Sequence, residues 1–189
     1  RSPLSSGING FLDSHVIHGR RVVPMTSAAA LMTTTALRLH PGYHLLAIEN
    51  VQLFSGIFAD ADAKAKIELK RETEADASEL RLACRVSTMT GGRYTPGYGA
   101  TVVLSTSAPS VIEKVPAHGP AGAKVDKLYD GETLFHGPHL QHLREVSIGD
   151  DVLSALATNV ALDARLAGQF ESGRCAINGF AADAMMQAM

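Results

Sequence analysis

Tryptophan is absent from the 189 residues, and Phe and Tyr bring the aromatic fraction to only 5%. Proteins that grip single-stranded nucleic acid stack bases on aromatic side chains, so that class is disfavoured. An excess of one charge sign is missing too. The formal net charge of −2 gives no electrostatic case for nucleic acid or an anionic membrane as partner. No apolar run approaches the ~18 residues that a membrane span needs. The first residues, Arg1 to Gly7, lack the apolar stretch of a signal peptide. They read as a cut from something longer. Two cysteines, Cys84 and Cys175, make no disulfide framework, and a reducing, cytoplasmic setting is expected. No G-x-G-x-x-G or G-x-x-x-x-G-K-[ST] loop indicates a nucleotide cofactor. No G-x-S-x-G elbow indicates a serine nucleophile.

What is present is ordinary for a folded domain: 46% hydrophobic and 19% charged residues, in a length that supports one sizeable core or two small ones. Residues 25–39 are the strongest helix candidate. They follow Pro24, offer Thr26 and Ser27 as caps, and are apolar nearly all round, which suits a buried helix. The next hundred residues read as strands. Residues 44–58 are rich in branched side chains. Residues 62–70 alternate, with Ala63, Ala65, Ile67 and Leu69 on one face and charged residues on the other. Leu80, Leu82, Cys84 and Val86 alternate again, and 98–104 close the set. Gly91-Gly92 and Pro96-Gly97 read as turns. One buried helix followed by an antiparallel meander predicts an α+β fold in which a sheet wraps a helix. Residues 109–127, with Pro109, Pro116 and Pro120, read as a linker between an N-terminal unit, 1–108, and a second unit, 128–189. In the second unit, 146–162 reads as strand, broken by a turn at Asp150-Asp151. Residues 180–189 read as helix, capped by Asn178 or Gly179. Only six residues follow Asp183, so the second unit is expected to lack strands.

Two patterns carry chemistry. His15, Gly19 and Pro24 spell H-x-x-x-G-x-x-x-x-P, and Asp183 and Gln187 spell D-x-x-x-Q. A histidine at the end of a strand is a good general base near neutral pH. Gly19 permits a tight bend, and Pro24 starts the helix without wasting a donor. The free N–H groups of the first turn, at Met25 and Thr26, suit a thioester carbonyl oxygen. Asp183 lies beside Ala184, Met185 and Met186. Burial there favours its proton-donating form and a helix N-terminus its ionised form. Gln187, one turn on, can orient the carboxyl. His136, His139 and His142 are spaced for one helix face, but Gly137-Pro138 breaks such a helix, and no metal is expected. His18 reads as a strand residue, and His40 and His44 as turn residues.

Three motifs together, His15-x-x-x-Gly19-x-x-x-x-Pro24, Leu134-Phe-His-Gly-Pro-His-Leu-Gln141 and Asp183-x-x-x-Gln187, resemble the dehydratase domains of type I polyketide synthases and multidomain fatty acid synthases. The polyketide-type dehydratase region of polyunsaturated fatty acid synthases is the nearest likeness, and it covers essentially the whole chain. The resemblance implies a double hotdog, two curved antiparallel sheets each wrapped around a long helix, with the second incomplete here. It implies a catalytic pair, His15 removing the α-proton and Asp183 protonating the departing β-hydroxyl. Gly19, Pro24, Met25, His136, Gly137 and Gln187 are the implied substrate-binding residues. The substrate would be a β-hydroxyacyl chain on the phosphopantetheine of an acyl carrier protein, and the product a trans-2-enoyl thioester. No metal or organic cofactor is implied. Neighbouring synthase domains are the implied partners, with a homodimer as one option. Many relatives carry Tyr-Gly-Pro where this chain has His136-Gly137-Pro138, and Leu140 replaces a common Phe. Two other readings keep the fold: a product-template-type cyclase, and a non-catalytic docking module.

Overall fold

The computed structural model describes residues 2–3, 10–59, 64–72, 79–110, 122–149, 153–157, 177 and 179–188. Its framework is a five-stranded antiparallel sheet in the order β1-β5-β6-β7-β4. The strands are β1 (Ser2–Pro3), β4 (His44–Leu53), β5 (Lys64–Arg71), β6 (Glu79–Thr90) and β7 (Arg93–Ser105). Helix α1 (Met25–Leu39) lies against it, in the range that the sequence predicts. Ala28, Met32 and Ala36 recur every fourth residue and are fully buried, forming the stripe that meets Val86, Val102 and Leu104 of the sheet. Thr33 is equally buried, and its hydroxyl donates to the Ala29 carbonyl at 2.9 Å, which satisfies a polar group inside a helix. The helix stops where His40 donates its N–H to the Ala36 carbonyl, before Pro41 and a Gly42 at φ 89°.

The alternation of Leu80, Leu82, Cys84 and Val86 survives as the core-facing row of β6. Gly91 and Gly92, both at positive φ, turn β6 into β7. Pro96-Gly97 is not a turn. It lies inside β7, where Ser87 pairs with Pro96 and Val86 with Tyr98, so Gly97 is the extra residue of a bulge. Proline is tolerated at a bulge because the ladder there does not need its missing N–H. A side chain at Gly97 would overlap Ile57. The strand expected over 44–58 stops at Leu53, because Phe54 and Ser55 bond back to the Gly97 carbonyl.

Ahead of α1, a short 3-10 helix (Gly10–Ser14) leads into the hairpin β2 (Val16–Ile17) and β3 (Arg20–Arg21). His18 is therefore a turn residue rather than a strand residue. It sits at φ 49° with Gly19 at φ 73°, the paired left-handed geometry of a two-residue hairpin loop. Thr26 and Ser27 do not cap α1. Pro24 occupies the cap position, with no side-chain cap bond.

Among the described residues after 121, a second sheet and helix repeat the plan on a smaller scale. Strands β8 (Ala123–Lys124), β9 (Leu143–Ile148) and β10 (Leu153–Ala157) form a three-stranded sheet. Helix α2 (Gly179–Gln187) packs Ala184 onto Leu143 and Val146. One turn earlier, Phe180 enters the first core and meets Phe11 edge-on at 5.3 Å. These two anchors turn the intervening Asp183 toward α1. Asp150, Asp151, Cys175, Asn178 and most of the expected linker lie outside the described residues.

Candidate active site

His15 does not end a strand. It joins the 3-10 helix to β2, held by its N–H on the Leu12 carbonyl and its carbonyl on the Val22 N–H. Its ring Nδ1 lies 2.8 Å from the Val22 carbonyl. A carbonyl only accepts, so Nδ1 carries the proton and Nε2 keeps its lone pair. Burial lowers the His15 pKa from its usual 6.5, opposed by the Val22 carbonyl and by Asp183. The neutral, proton-accepting ring is therefore the favoured state at neutral pH.

Asp183 is 6% exposed. Gln187 Nε2 donates to its Oδ2 at 2.7 Å, and the Thr26 hydroxyl lies 3.4 Å from its Oδ1. The i, i+4 spacing read from D-x-x-x-Q thus makes the expected contact on one helix face. Gln187 also donates to the Leu140 carbonyl at 3.0 Å and accepts from the Tyr129 hydroxyl at 2.9 Å.

The Leu134–Gln141 segment is laid across both elements. Gly137 donates its N–H to the Ser14 carbonyl at 2.8 Å, and the His139 N–H reaches the Ser14 hydroxyl at 3.0 Å. His136 is stacked on Phe135 at 4.3 Å, and its ring centroid lies 5.4 Å from that of His15. Its Nε2 is 3.9 Å from Asp183 Oδ2. Burial, with His15 adding to it, lowers the His136 pKa against the pull of Asp183, which favours a neutral ring. The His136 side chain is 9% exposed, and its buried Nδ1 has no hydrogen-bond partner among the described residues.

These groups line one cavity of about 720 Å³, large enough for an acyl chain. His15, Pro24, Met25, His136, Asp183 and Gln187 all border it, alongside apolar Val22, Phe58 and Met186. Gly19 and Gly137 do not. Gly19 shapes the hairpin after His15, and Gly137 presses on Ser14, where an added Cβ would come within 2.9 Å of the Ser14 Cα. The N–H groups of Met25, Thr26 and Ser27 begin α1, where helix geometry supplies no acceptor. Among the described residues, no cluster of three or more His, Cys, Asp or Glu could hold a metal ion, and no helix is long and apolar enough to cross a membrane.

The Thr26 hydroxyl and Tyr129 were not among the groups expected at the site. Thr26 reads locally as a cap. Tyr129 sits in a loop with no periodicity, and its contact with Gln187 spans 58 positions. No local signal marks either one.

No family model matches the chain. Among curated proteins, it is 37% identical over 190 positions to one of the subunits of the polyunsaturated fatty acid synthase from Thraustochytrium sp., covering 98% of this chain and 7% of that protein. Three solved structures share the fold. A GphF dehydratase variant superposes with a TM-score of 0.68 at 18% identity, covering 97% of this chain and 64% of that one. The dehydratase domain of the polyketide PpsC from Mycobacterium tuberculosis gives 0.65 at 16%, with 94% and 62% covered. A bifunctional dehydratase-cyclase domain from ambruticin biosynthesis gives 0.63 at 14%, with 97% and 66% covered. The class is thus defined: the chain has the double-hotdog fold of polyketide synthase dehydratase domains, with a smaller second sheet among the described residues. Within that class, its sequence is related to a segment of a polyunsaturated fatty acid synthase, and it spans only a small share of the length of that relative.

Proposed function

We propose that the chain is the dehydratase module of a multidomain synthase, removing water from a β-hydroxyacyl thioester carried on the phosphopantetheine of an acyl carrier protein. The observation that carries this reading is the meeting of His15 and Asp183, from opposite ends of the sequence, on one apolar cavity. In this reading His15 Nε2 takes the proton α to the thioester carbonyl. The first N–H groups of α1 polarise that carbonyl oxygen, which acidifies the α-carbon. Asp183 gives its proton to the β-hydroxyl as the C–O bond breaks, so water leaves and a trans-2-enoyl thioester forms. A proton then returns from the His15 imidazolium to the Asp183 carboxylate, which closes the cycle. Both proton transfers are carried by protein side chains, so no metal or organic cofactor enters. Gln187 orients the carboxyl, and in this reading His136 hydrogen-bonds the hydroxyl through Nε2, the nitrogen 3.9 Å from Asp183 Oδ2. The carrier protein and adjoining synthase domains are the partners of this reading.

The test is turnover of a 3-hydroxyacyl carrier protein by the protein as it occurs in the cell, followed as enoyl formation by ultraviolet absorbance or as loss of water by mass spectrometry, together with the His15→Ala variant. Loss of activity in the variant, on the order of the 10²–10⁴-fold that general base catalysis contributes, supports the reading. Unchanged turnover defeats it. Preference for an unreduced poly-β-keto chain would favour a cyclase on the same fold.

A further inference from the structure

We propose that Tyr129 is a positioning residue for Asp183, acting through Gln187 to hold the orientation of its carboxyl. The inference rests on the dehydratase reading above and deepens it.

One chain of hydrogen bonds runs from Leu143 through Tyr129 and Gln187 to Asp183. The Leu143 N–H donates to the Tyr129 hydroxyl at 2.9 Å. That hydroxyl has one proton of its own, and it is directed at Gln187 Oε1, 2.9 Å away. Burial raises the tyrosine pKa from its usual 10, so the hydroxyl stays a donor at neutral pH. The Gln187 oxygen is thereby committed to Tyr129. Its amide nitrogen has two protons. One goes to the Leu140 carbonyl at 3.0 Å and the other to Asp183 Oδ2 at 2.7 Å.

The carboxyl is thereby held at both oxygens, Oδ2 accepting from the Gln187 amide at 2.7 Å and Oδ1 from the Thr26 hydroxyl at 3.4 Å. A reversed amide would set its oxygen against the Leu140 carbonyl, which only accepts, and would turn the Tyr129 hydroxyl from donor to acceptor. Without the Tyr129 hydroxyl, Gln187 Oε1 loses the donor that anchors it, and of these two anchors only the Leu140 carbonyl still holds the amide. The amide gains freedom, and its contact with Asp183 loosens.

Tyr129→Phe, Gln187→Ala and the double variant test this in the protein as it occurs in the cell, with a 3-hydroxyacyl carrier protein as substrate. Thermal unfolding of each variant gives the folded fraction for normalising kcat. The expected result for Tyr129→Phe is a kcat lower by roughly 3- to 10-fold, the range for one neutral hydrogen bond, with KM unchanged. In the Gln187→Ala background the same change should cost nothing more, because the amide that it positions is gone. Equal fold-losses in both backgrounds would mean that Tyr129 only supports the fold, and would overturn the proposal. So would a rise in KM with kcat intact. Failure of the underlying reading looks different: the parent protein would not dehydrate the substrate, or His15→Ala would match it, and the proposal would fall with it.

Discussion

Gly137→Ala probes the joint between the two halves of the site. Gly137 has φ −78° and ψ 179°, a conformation open to any residue, so the backbone carries no penalty. The cost is steric. An added Cβ would lie 2.9 Å from both the Ser14 Cα and Oγ, and 3.1 Å from its Cβ. Ser14 cannot step aside easily. It is buried, and the adjoining Phe11 and Leu12 are locked in the core. Either the His15 turn or the His136 segment must move, straining the Gly137–Ser14 and His139–Ser14 hydrogen bonds. Overpacking of this kind costs about 1–3 kcal/mol. For a chain of this size each kcal/mol lowers the melting temperature by about 2–4 °C, so a fall of roughly 2–12 °C is expected. Turnover should fall with it, because the displaced segment carries His136 beside His15. Gly19→Ala is the control. It has open space but sits at φ 73°, so it should lose about 1–2 kcal/mol through the backbone alone. Circular-dichroism melts of both variants, paired with turnover, make the comparison. A Gly137→Ala protein that melts and turns over like the parent would refute the steric argument.

Other consequences follow from burial. His15, His136 and His142 all have pKa values lowered below 6.5, with desolvation as the largest cause. Between those lowered values and 6.5 the unfolded chain binds more protons than the folded one, so stability rises with pH through that window and is lost as pH falls. Urea midpoints should therefore drop from pH 7 toward pH 5, and His15→Ala together with His136→Ala should flatten the dependence. The Cys84 thiol is buried, with its pKa pushed up to about 11. Iodoacetamide at pH 7.5 should label it only after denaturation, and rapid labelling of the native protein at Cys84, located by peptide mapping, would contradict its placement. Tyr98 donates to the Val23 carbonyl at 2.6 Å just before α1. Tyr98→Phe leaves that buried carbonyl unpaired and should cost about 1–3 kcal/mol in chemical denaturation.

Much of the fold was legible locally. Pro24, an apolar run and Pro41 delimit α1 by backbone rules that act within a few residues. The alternation of Leu80, Leu82, Cys84 and Val86 reports a half-buried strand for the same reason. Pro96-Gly97 misled, because a bulge and a turn use the same residues, and only the pairing partner on β6 distinguishes them. His18 misled because its left-handed conformation is set by the tight hairpin that Gly19 closes. In the site, His15, Asp183 and Gln187 were legible because their motifs have fixed spacing. The Thr26 hydroxyl and Tyr129 were not. Their partners are brought near by packing of Phe180 and Ala184, which no local pattern encodes. The departure from Tyr-Gly-Pro was visible, but the stacking of His136 between Phe135 and the His15–Asp183 pair was not.

The central claim is that one imidazole and one carboxyl act on the same substrate molecule across a shared cavity. A double-mutant cycle on kcat with His15→Ala, Asp183→Asn and the pair together tests it directly, using a 3-hydroxyacyl carrier protein. Groups that act as a unit are strongly non-additive, so the account predicts that each single variant is nearly inactive and that the double variant is scarcely worse than either. Losses that simply multiply, or a single variant that keeps full turnover, would contradict it.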